Sequence, residues 1–496
     1  MTTRPGYLLP MRQTVLAFAG VMLAMLVAIL NQTIVATALP TIVEDLGGVE
    51  HYSWVFSAYM LGSTVTVPVY GRLSDIYGRR LFFAFGLIVF MTGALLGAAS
   101  GSMGVLIAAR AIQGLGAGAL IPLAIITIGD LVPPSERGRW QGLTGAVIGV
   151  ASVLGPFTGG WIVDHTSWRW VFLVSLPIGL VALAVGLATL KIPPHPDAGR
   201  DVDYTGAGLL VTGVSALLLA TVWGGAEYPW GSGQVLGLFA GSALLLALFV
   251  AHELRVAHPL VPLALFRDRV IVSACVAGFS VGIGMFGAIM FVPLFVQGAL
   301  GASATSSGVV LTPLMLALML TSVGSGQVIS RTGRYRWALL AGPVVMGSGF
   351  VLLSALNERS SVGAAVVGTI VLGLGLGLLM QNLVLVVQNA APARALGAAT
   401  GATQFFRQIG GTLGVTVMGA ILAAGLPTGV AAASGGEGAA GPGEAGRATL
   451  AHAIHPVFVL GIPLMAVTLA LVALVPERPL RRTVREDSAE TVAAPA

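Results

Sequence analysis

Long, uninterrupted apolar runs occupy most of this chain, and they restrict its possible folds more than any other feature. Only 9% of the 496 residues are charged, whereas a soluble domain carries about 25%. Most runs reach the ~20 residues that a helix needs to cross a hydrocarbon core of about 30 Å. They are continuous rather than alternating, so helices are favoured over a membrane barrel. The sequence therefore predicts an all-α membrane protein embedded in a lipid bilayer.

The apolar runs number fourteen, and an even number places both ends of the chain on one side of the membrane. The first run is too long for the core of a signal peptide and no small-residue cleavage site follows it, so we interpret it as the first membrane helix. The approximate spans of the predicted helices are 14–40, 52–72, 81–100, 104–129, 140–163, 169–190, 206–224, 233–252, 270–299, 306–330, 337–356, 362–389, 397–425 and 455–475.

The distribution of basic residues indicates the orientation. With a cytoplasmic N-terminus, 20 of the 25 Lys and Arg residues fall in cytoplasmic segments, three fall in outer segments (Arg169, Arg359 and Arg447) and two lie within membrane runs (Arg110 and Arg407). Membrane proteins concentrate Lys and Arg in their cytoplasmic loops. The sequence therefore predicts a multi-pass protein of the cytoplasmic membrane with both termini in the cytoplasm.

An internal repeat divides the chain. The segment GRLSDIYGRR begins at Gly71, and GQVISRTGRYR begins 255 residues later at Gly326, with Asp75 replaced by Ser330. Two parallel halves related by an axis normal to the membrane are a known transporter plan. The predicted parts are an N-terminal six-helix half (14–190), two inserted helices with cytoplasmic linkers (191–269), a C-terminal six-helix half (270–475) with a Gly/Ala/Pro-rich outer loop (426–452), and a disordered charged tail (476–496).

The first copy of the repeated segment carries more than orientation signals. The bias toward cytoplasmic Arg explains Arg79, but it does not explain Asp75 or the glycines at fixed spacing. Gly78 permits a tight turn with positive φ. Asp75 can accept hydrogen bonds from amides at a helix N-terminus or pair with an arginine. We expect this cluster to latch the cytoplasmic side and to release it during a conformational change.

Several segments together resemble the major facilitator superfamily. GRLSDIYGRR matches its G-x-L-x-D-x-x-G-R-R signature, LIAARAIQGLGAGAL is similar to its fourth-helix motif, and GVASVLGPFTGG to the fifth-helix motif of its antiporters. LNQTIVATALP, SWRWVFLVSLPIG and RQIGGTLG resemble the fourteen-helix drug:proton antiporter branch. The resemblance covers about 15–480 and implies a major facilitator fold that exports drugs or antibiotics in exchange for protons, without a cofactor.

Arg110 lies within the fourth apolar run. A charge near the bilayer centre costs at least ~2.5 kcal/mol, so Arg110 is expected to face a cavity or a partner, although it can also snorkel toward the outer surface. The resemblance implies a role in proton transfer or in the response to substrate. Arg407 in the thirteenth run is expected to line the substrate cavity, unless it lies near the cytoplasmic end of its helix.

The fifth run combines small residues with a proline. Small residues allow membrane helices to pack closely, and a proline weakens one helical turn so that the helix can bend. We expect a packing or hinge role, which the resemblance associates with export. The residues are Gly149, Gly155, Pro156, Gly159 and Gly160.

Polar side chains also occur in the first and twelfth runs. Asn31 and Gln32 follow a long apolar stretch, and Asn31 stands where the resembling family usually has an aspartate. Gln381 and Asn382, with Gln388, either line the cavity or tie helices together.

The sequence places no carboxylate or His near the middle of a membrane run, and three hypotheses follow for the stretch at Asn31. Protons can couple through carboxylates at the membrane ends, namely Asp75, Asp130 or Asp164, whose pKa values burial or a nearby arginine can shift. Asn31 and Gln32 can instead bind substrate in a weakly coupled transporter. They can also serve only as hydrogen bonds between helices.

We therefore expect a secondary active transporter, monomeric, that exports small amphipathic or hydrophobic compounds against protons by alternating access. The alternative is a dedicated exporter of one endogenous product, an antibiotic or a lipid, with weak or non-standard proton coupling. A P-loop pump is excluded because its motif needs a lysine after the glycines, and Lys191 is the only lysine. One cysteine and seven scattered histidines offer no metal site or catalytic residues, so the sequence predicts neither an enzyme nor a nucleic-acid-binding protein.

Overall fold

The computed structural model describes residues 9–47, 51–190, 192, 202–225, 227–302, 304–425 and 444–481. Within these residues the chain forms fourteen long helices and no strand. The helices are α1 (Met11–Leu46), α2 (Tyr52–Tyr77), α3 (Arg79–Ala98), α4 (Met103–Leu131), α5 (Pro134–His165), α6 (Trp170–Thr189, interrupted at Val174), α7 (Tyr204–Trp223), α8 (Gly233–Glu253), α9 (Arg269–Leu294, continued by a π-helical turn, Phe295–Ala299), α10 (Ala304–Thr332), α11 (Arg336–Ser354), α12 (Val362–Ala390), α13 (Leu396–Gly425) and α14 (Glu444–Ala473).

Thirteen of these helices are long and apolar enough to cross a membrane by themselves. The exception is α2, because Ser, Thr and Tyr occur throughout it and Arg72 and Asp75 lie near its end. It still packs against α4 and α13, and its 26 residues give a length of about 39 Å, enough to span a bilayer. The predicted fourteen-helix all-α membrane fold is confirmed.

The helices form two sets with the same packing. In α1–α6, α1 packs on α5, and α4 packs on both α2 and α3. In α9–α14, α9 packs on α13, and α12 packs on both α10 and α11. The inserted helices α7 and α8 pack on each other, and α7 also contacts α2 and α13. The sequence repeat thus coincides with a repeat of helix packing, while the residue boundaries given for the halves stay a prediction.

The two sets meet at one end of the bundle. We call the side where α2 and α14 end the terminal face, and the other side the opposite face. Near the terminal face, a Cβ on Gly71 of α2 would lie 2.9 Å from the carbonyl oxygen of Gly397 of α13. A Cβ on Gly138 of α5 would likewise lie 2.9 Å from the carbonyl oxygen of Gly326 of α10. Glycine is needed at both crossings because the backbones leave no room for a side chain.

Nearer the opposite face, the same helices contact their own sets. Gly155 of α5 lies against Thr33 of α1, and Gly410 of α13 lies against Phe279 of α9. Both α5 and α13 therefore pack on the other set near the terminal face and on their own set farther along. The bundle is closed at the terminal face.

Three expectations about irregular segments need correction. The spans predicted for the second and third helices leave a loop at 73–80, but α2 continues to Tyr77 and α3 begins at Arg79, so only Gly78, at φ +93°, lies between them. The outer loop predicted at 426–452 is wrong for its last part, since α14 already begins at Glu444. Alanine is the strongest helix former and occurs repeatedly in this part of α14. Residues 426–443 lie outside the described chain.

The predicted disorder of the tail is also wrong for its first residues. Residues 476–481 run along the terminal face, where Arg478 pairs with Asp268 and Arg481 bonds to Ser135. These contacts are made by single side chains and backbone groups, so the charged composition of the tail did not indicate them. The remaining residues, 482–496, lie outside the described chain.

Candidate functional site

A buried charged cluster lies where α2, α3 and α4 meet the terminal face. The Arg79 guanidinium pairs with the Asp75 carboxylate, donates from Nε to Asp130 Oδ2 at 2.7 Å, and donates from Nη1 to Ser74 Oγ at 2.6 Å. The three charged side chains are each less than 5% exposed. One arginine thus binds two carboxylates.

Asp75 also joins the two helix sets. Its carboxylate accepts the backbone N–H groups of Gly397 and Ala398, each at 3.2 Å. These residues lie in the first turn of α13, where N–H groups lack partners within the helix and the helix dipole favours a negative charge. A Cβ on Gly397 would lie 2.6 Å from Asp75 Oδ2, so a larger residue would displace the carboxylate. We call Asp75, Arg79, Asp130 and the first turn of α13 the acidic latch.

The repeat-related crossing has a neutral counterpart. Ser330 of α10 occupies the position equivalent to Asp75, and its Oγ accepts the backbone N–H of Arg139 in α5 at 2.9 Å. The hydroxyl donates in turn to the Gly326 carbonyl, also at 2.9 Å. The second crossing is therefore tied by a hydroxyl instead of a carboxylate.

Arg137 and Gln388 add further buried hydrogen bonds at the same face. Arg137 of α5 is buried and donates to backbone carbonyls of Val132, Gly129 and Gln388. Gln388 accepts from Gln141 at 2.8 Å and donates to the Ile125 carbonyl at 3.1 Å. Gln388 thus ties helices together, which was one of its two predicted roles. Arg137 looked like an ordinary cytoplasmic arginine, because its acceptors are backbone carbonyls without a sequence signal.

A second buried group lies farther from the terminal face, between α1, α2 and α4. Arg110 is fully buried and donates to Asn31 Oδ1 at 3.0 Å, to Gln113 Oε1 at 2.6 Å and to the Val55 carbonyl at 3.2 Å. Its guanidinium lies 4.2 Å from the centre of the Tyr59 ring, a cation–π contact. The alternative that Arg110 snorkels to the outer surface is wrong, because its partners hold it inside the bundle.

All hydrogen-bonding partners of Arg110 in the described chain are neutral. Arg110 Nη2, Asn31 Nδ2 and Gln113 Nε2 are buried and have no partner among the described residues. All three are donors, so the group lacks acceptors. Asn31 is itself fully buried and does not line an open cavity in this conformation, whereas the half-buried Gln32 donates to the Met60 sulfur at 3.1 Å.

The glycines of α5 divide their contacts between two neighbours. Gly149 faces α10, where its Cβ would lie 3.0 Å from Met319 Cβ. Gly155 and Gly159 face α1, where added Cβ atoms would overlap the hydroxyls of Thr33 and Thr37. The contrast is Gly160, which has open space around its Cβ position. Pro156 lies within the unbroken helix α5.

The polar residues of α12 and α13 have unequal partners. Asn382 is buried and donates to Ser325 Oγ at 3.3 Å and to the Leu378 carbonyl at 2.7 Å. Gln381 is also buried, and its Oε1 has no partner in the described chain. Arg407 donates to Gln404 while its buried Nε has no described partner. Arg407 follows the start of α13 by eleven residues, about 16 Å, and so lies deep in the bundle.

Asp164 lies apart from these groups. It is exposed at the end of α5 on the opposite face, and its side chain has no ion pair or hydrogen bond in the described part of the chain. A nearby cavity of about 390 Å³ is bordered instead by Asp45, Trp168 and Arg169. Asp45 accepts from Trp168 Nε1 at 2.8 Å and from Arg169 Nη1 at 3.2 Å. The five residues predicted to act in proton coupling or gating therefore do not form one site. They are Asp75, Arg79 and Asp130 in the acidic latch, Arg110 deeper in the bundle, and Asp164 on the opposite face.

The family model described as Major Facilitator Superfamily matches residues 21–415. The chain belongs to this superfamily. Among its relatives in the superfamily, the multidrug transporter protein MdtP of Bacillus subtilis is 41% identical over 82% of this chain and 75% of its own length. Multidrug resistance protein 3 of the same organism is 36% identical over 81% of this chain and 78% of its own length.

A solved major facilitator structure has the same architecture. The human organic anion transporter MFSD10 superposes on 91% of this chain and 99% of its own with a TM-score of 0.63, at 16% identity. This likeness shows the fold alone. The family and the relatives establish that the chain is a multi-pass membrane transporter of small molecules, and not an enzyme. The names of the two Bacillus relatives agree with the drug-exporter branch of the superfamily that the motifs indicate.

One prediction concerns the missing acid of this major facilitator protein. Asn31→Asp is expected to be tolerated, because the new carboxylate accepts from Arg110 and removes the unpaired Asn31 Nδ2. It also adds a titratable group beside a buried arginine. Export measured across a pH series should therefore depend more steeply on pH. Gln32→Glu, one residue away, is the control, and equal pH profiles for wild type and Asn31→Asp would remove Asn31 from the coupling path.

A second prediction separates adjacent glycines of α5. Gly159→Ala should reduce export strongly, because the methyl group overlaps the Thr37 hydroxyl and lies 2.9 Å from the Ile34 carbonyl oxygen, and overpacking of this kind costs roughly 1–3 kcal/mol. Gly160→Ala should leave export unchanged and should not lower thermal stability, since its Cβ meets open space. Equal effects of the two substitutions on export and melting temperature would show that the α1–α5 contact is not needed.

Proposed function

We propose that the protein exports small amphipathic or hydrophobic compounds across the cytoplasmic membrane in exchange for protons, by alternating access. The observation that carries this proposal is the acidic latch, which joins the two helix sets at one face through a carboxylate and two helix N-terminal amides. Nearer the other face, α5 and α13 contact their own sets. A bundle closed at one end by breakable polar contacts is the arrangement that alternating access needs.

The orientation follows from the basic residues. The terminal face carries Arg79, Arg137 and Arg139, and it is the cytoplasmic face by the bias of Lys and Arg toward the cytoplasm. Both termini are then cytoplasmic, and the described conformation is closed toward the cytoplasm. The transporter in this state would exchange its contents with the exterior.

The acidic latch also offers a route for proton coupling without an acid at Asn31. When Asp75 binds a proton, it loses its charge toward both Arg79 and the first turn of α13, so the latch weakens. Proton binding therefore favours opening of the terminal face, the step that delivers the proton to the cytoplasm and admits the next substrate molecule.

The charges inside the bundle narrow the class of substrate. Arg110 and Arg407 lie deep in their helix sets, and the carboxylates found around the acidic latch lie at the terminal face instead. A cation in the centre would meet positive charge without a compensating acid, which is costly in a medium of low dielectric constant. This supports neutral or weakly basic amphipathic substrates over multiply charged cations.

The test uses a bacterial host without its own exporters. Cells are loaded with ethidium or with the neutral dye Nile Red, and efflux is followed with and without a protonophore. Efflux that the protonophore abolishes, and that Asp75→Asn also abolishes at equal membrane expression, is the expected result. Efflux that persists after the proton gradient collapses would contradict proton coupling. Absence of efflux for both dyes would favour the alternative, a dedicated exporter of one endogenous product.

A further inference from the structure

The chain beyond α14 does not leave the bundle. Residues 474–481, which we call the C-terminal strap, follow the terminal face. The Tyr335 hydroxyl donates to the Pro476 carbonyl at 3.2 Å and accepts the backbone N–H of Arg478 at 2.7 Å. Tyr335 precedes α11, and burial raises the pKa of its phenol, which keeps the proton that it donates. This pair of bonds fixes the start of the strap to the second helix set.

The middle of the strap is fixed to the same set by charge. The Arg478 guanidinium binds the Asp268 carboxylate through two bonds, at 2.8 and 3.1 Å. Asp268 is already held in place, because it caps α9 by accepting the Val270 N–H at 2.9 Å. A bidentate arginine–carboxylate pair specifies one geometry. The strap therefore moves with α9 and α11.

The end of the strap reaches the other helix set. Asn389, at the end of α12, donates to the Pro479 carbonyl at 3.3 Å and accepts the Arg481 N–H at 3.2 Å. The Arg481 carbonyl then accepts the backbone N–H of Ser135 in α5 at 3.1 Å. Ser135 lies in the first turn of α5, where N–H groups have no acceptor within the helix. The strap supplies that acceptor across the boundary between the sets.

We propose that the C-terminal strap is a conformational tie that holds the terminal face closed. It is anchored to the second set at Tyr335, Asp268 and Asn389, and it contacts the first set through the bond between Ser135 and Arg481. The proposal rests on alternating access, as proposed above. When the terminal face opens, α5 must leave the strap, while the anchors on the second set stay in place.

The test is a reversible cross-link in the full-length protein. The pair Ser135→Cys and Arg481→Cys allows the strap to be joined to the first set. A backbone hydrogen bond of 3.1 Å brings the two residues within reach of a short bifunctional methanethiosulfonate, which forms a disulfide with each thiol that reductant later cleaves. The matched control is Asn389→Cys with Arg481→Cys, which joins the same strap residue to its own set. The native Cys275 is 1% exposed, so it does not compete for the reagent.

Cross-linking is first scored by mass spectrometry of digested protein, independently of transport. A high cross-linking yield is expected for both pairs in membranes without added substrate. A low yield for the Ser135 pair would show that the strap does not lie against α5. Efflux is then compared before and after cross-linking. Loss of efflux for the Ser135 pair, restored by reductant, with unchanged efflux for the Asn389 pair, is the expected result.

The outcomes separate this inference from the proposed function. If the reduced proteins export dye and the cross-linked Ser135 pair exports it equally well, the strap need not leave α5 and the inference is wrong, while the proposed export stands. If the wild-type protein exports no dye, the substrate proposal fails. The inference about the strap is then tested by the cross-linking yield of the Ser135 pair under conditions in which accessibility labelling shows that the terminal face is open. The yield should fall in that state, and a constant yield would show that the strap is not a tie.

Discussion

Arg110→Gln is expected to abolish export without lowering the thermal stability of the protein. Arg110 is fully buried among neutral partners, and a charge at such a depth costs at least ~2.5 kcal/mol. Glutamine removes this cost and can still donate to Asn31 or to the Val55 carbonyl. The lost hydrogen bonds and the relieved charge burial therefore offset each other in the free energy of unfolding.

The effect on transport has a different origin. The unpaired Arg110 Nη2 lies beside two further unpaired donors, Asn31 Nδ2 and Gln113 Nε2, so we expect the group to bind an acceptor during the transport cycle. Without the charge, we expect the rate of dye efflux to fall by at least about tenfold, which corresponds to ~1.4 kcal/mol. Arg169→Gln is the matched control, because Arg169 is an exposed arginine on the opposite face. A melting temperature that falls together with efflux would identify Arg110 as a structural tie between α1, α2 and α4 instead.

Gly326→Ala is expected to prevent closure of the terminal face and to stop export. The added methyl group overlaps the backbone carbonyl of Gly138, and a backbone cannot move aside as the end of a flexible side chain can. The helices α5 and α10 must therefore separate at the crossing, which also breaks the bond between Ser330 and Arg139. Efflux and thiol labelling of a cysteine placed on the terminal face measure the two consequences.

The control for this substitution lies two residues away on the same helix. Gly324 has open space at its Cβ position, so Gly324→Ala should preserve export. It should also stabilise α10 slightly, since alanine is favoured over glycine in a helix by roughly 1 kcal/mol. Normal export and low labelling in Gly326→Ala would show that the crossing is looser than its geometry indicates.

The fold followed from the sequence because lipid imposes a simple requirement. A helix satisfies its backbone within one segment, so each apolar run could be assigned without knowledge of its neighbours. The missed boundaries were those set by other chemistry. The early start of α14 at Glu444 comes from alanine-rich residues outside the apolar run. The helix α2 likewise continues beyond its apolar run, through Arg72 and Asp75 to Tyr77.

The site was predictable only as far as local chemistry allows. Asp75 was expected to bind an arginine or helix N-terminal amides, and it does both. The sequence had no means of choosing α13 as the source of those amides, because any helix start has free N–H groups. Arg110 was expected to face a cavity or a partner, but its partners on α1 and α2 depend on how the helices pack. The strap escaped prediction since its decisive bond joins two backbone groups.

The two crossings at the terminal face differ in chemistry although the internal repeat relates them. The first uses a carboxylate at Asp75, and the second uses a hydroxyl at Ser330. A hydroxyl does not ionise at physiological pH, and its hydrogen bond is nearly insensitive to ionic strength. Acidification should therefore loosen the crossing of α2 with α13 before that of α5 with α10. The terminal face would then open in two steps, in which α2 and α13 separate first and α5 and α10 separate last, when α5 also leaves the strap.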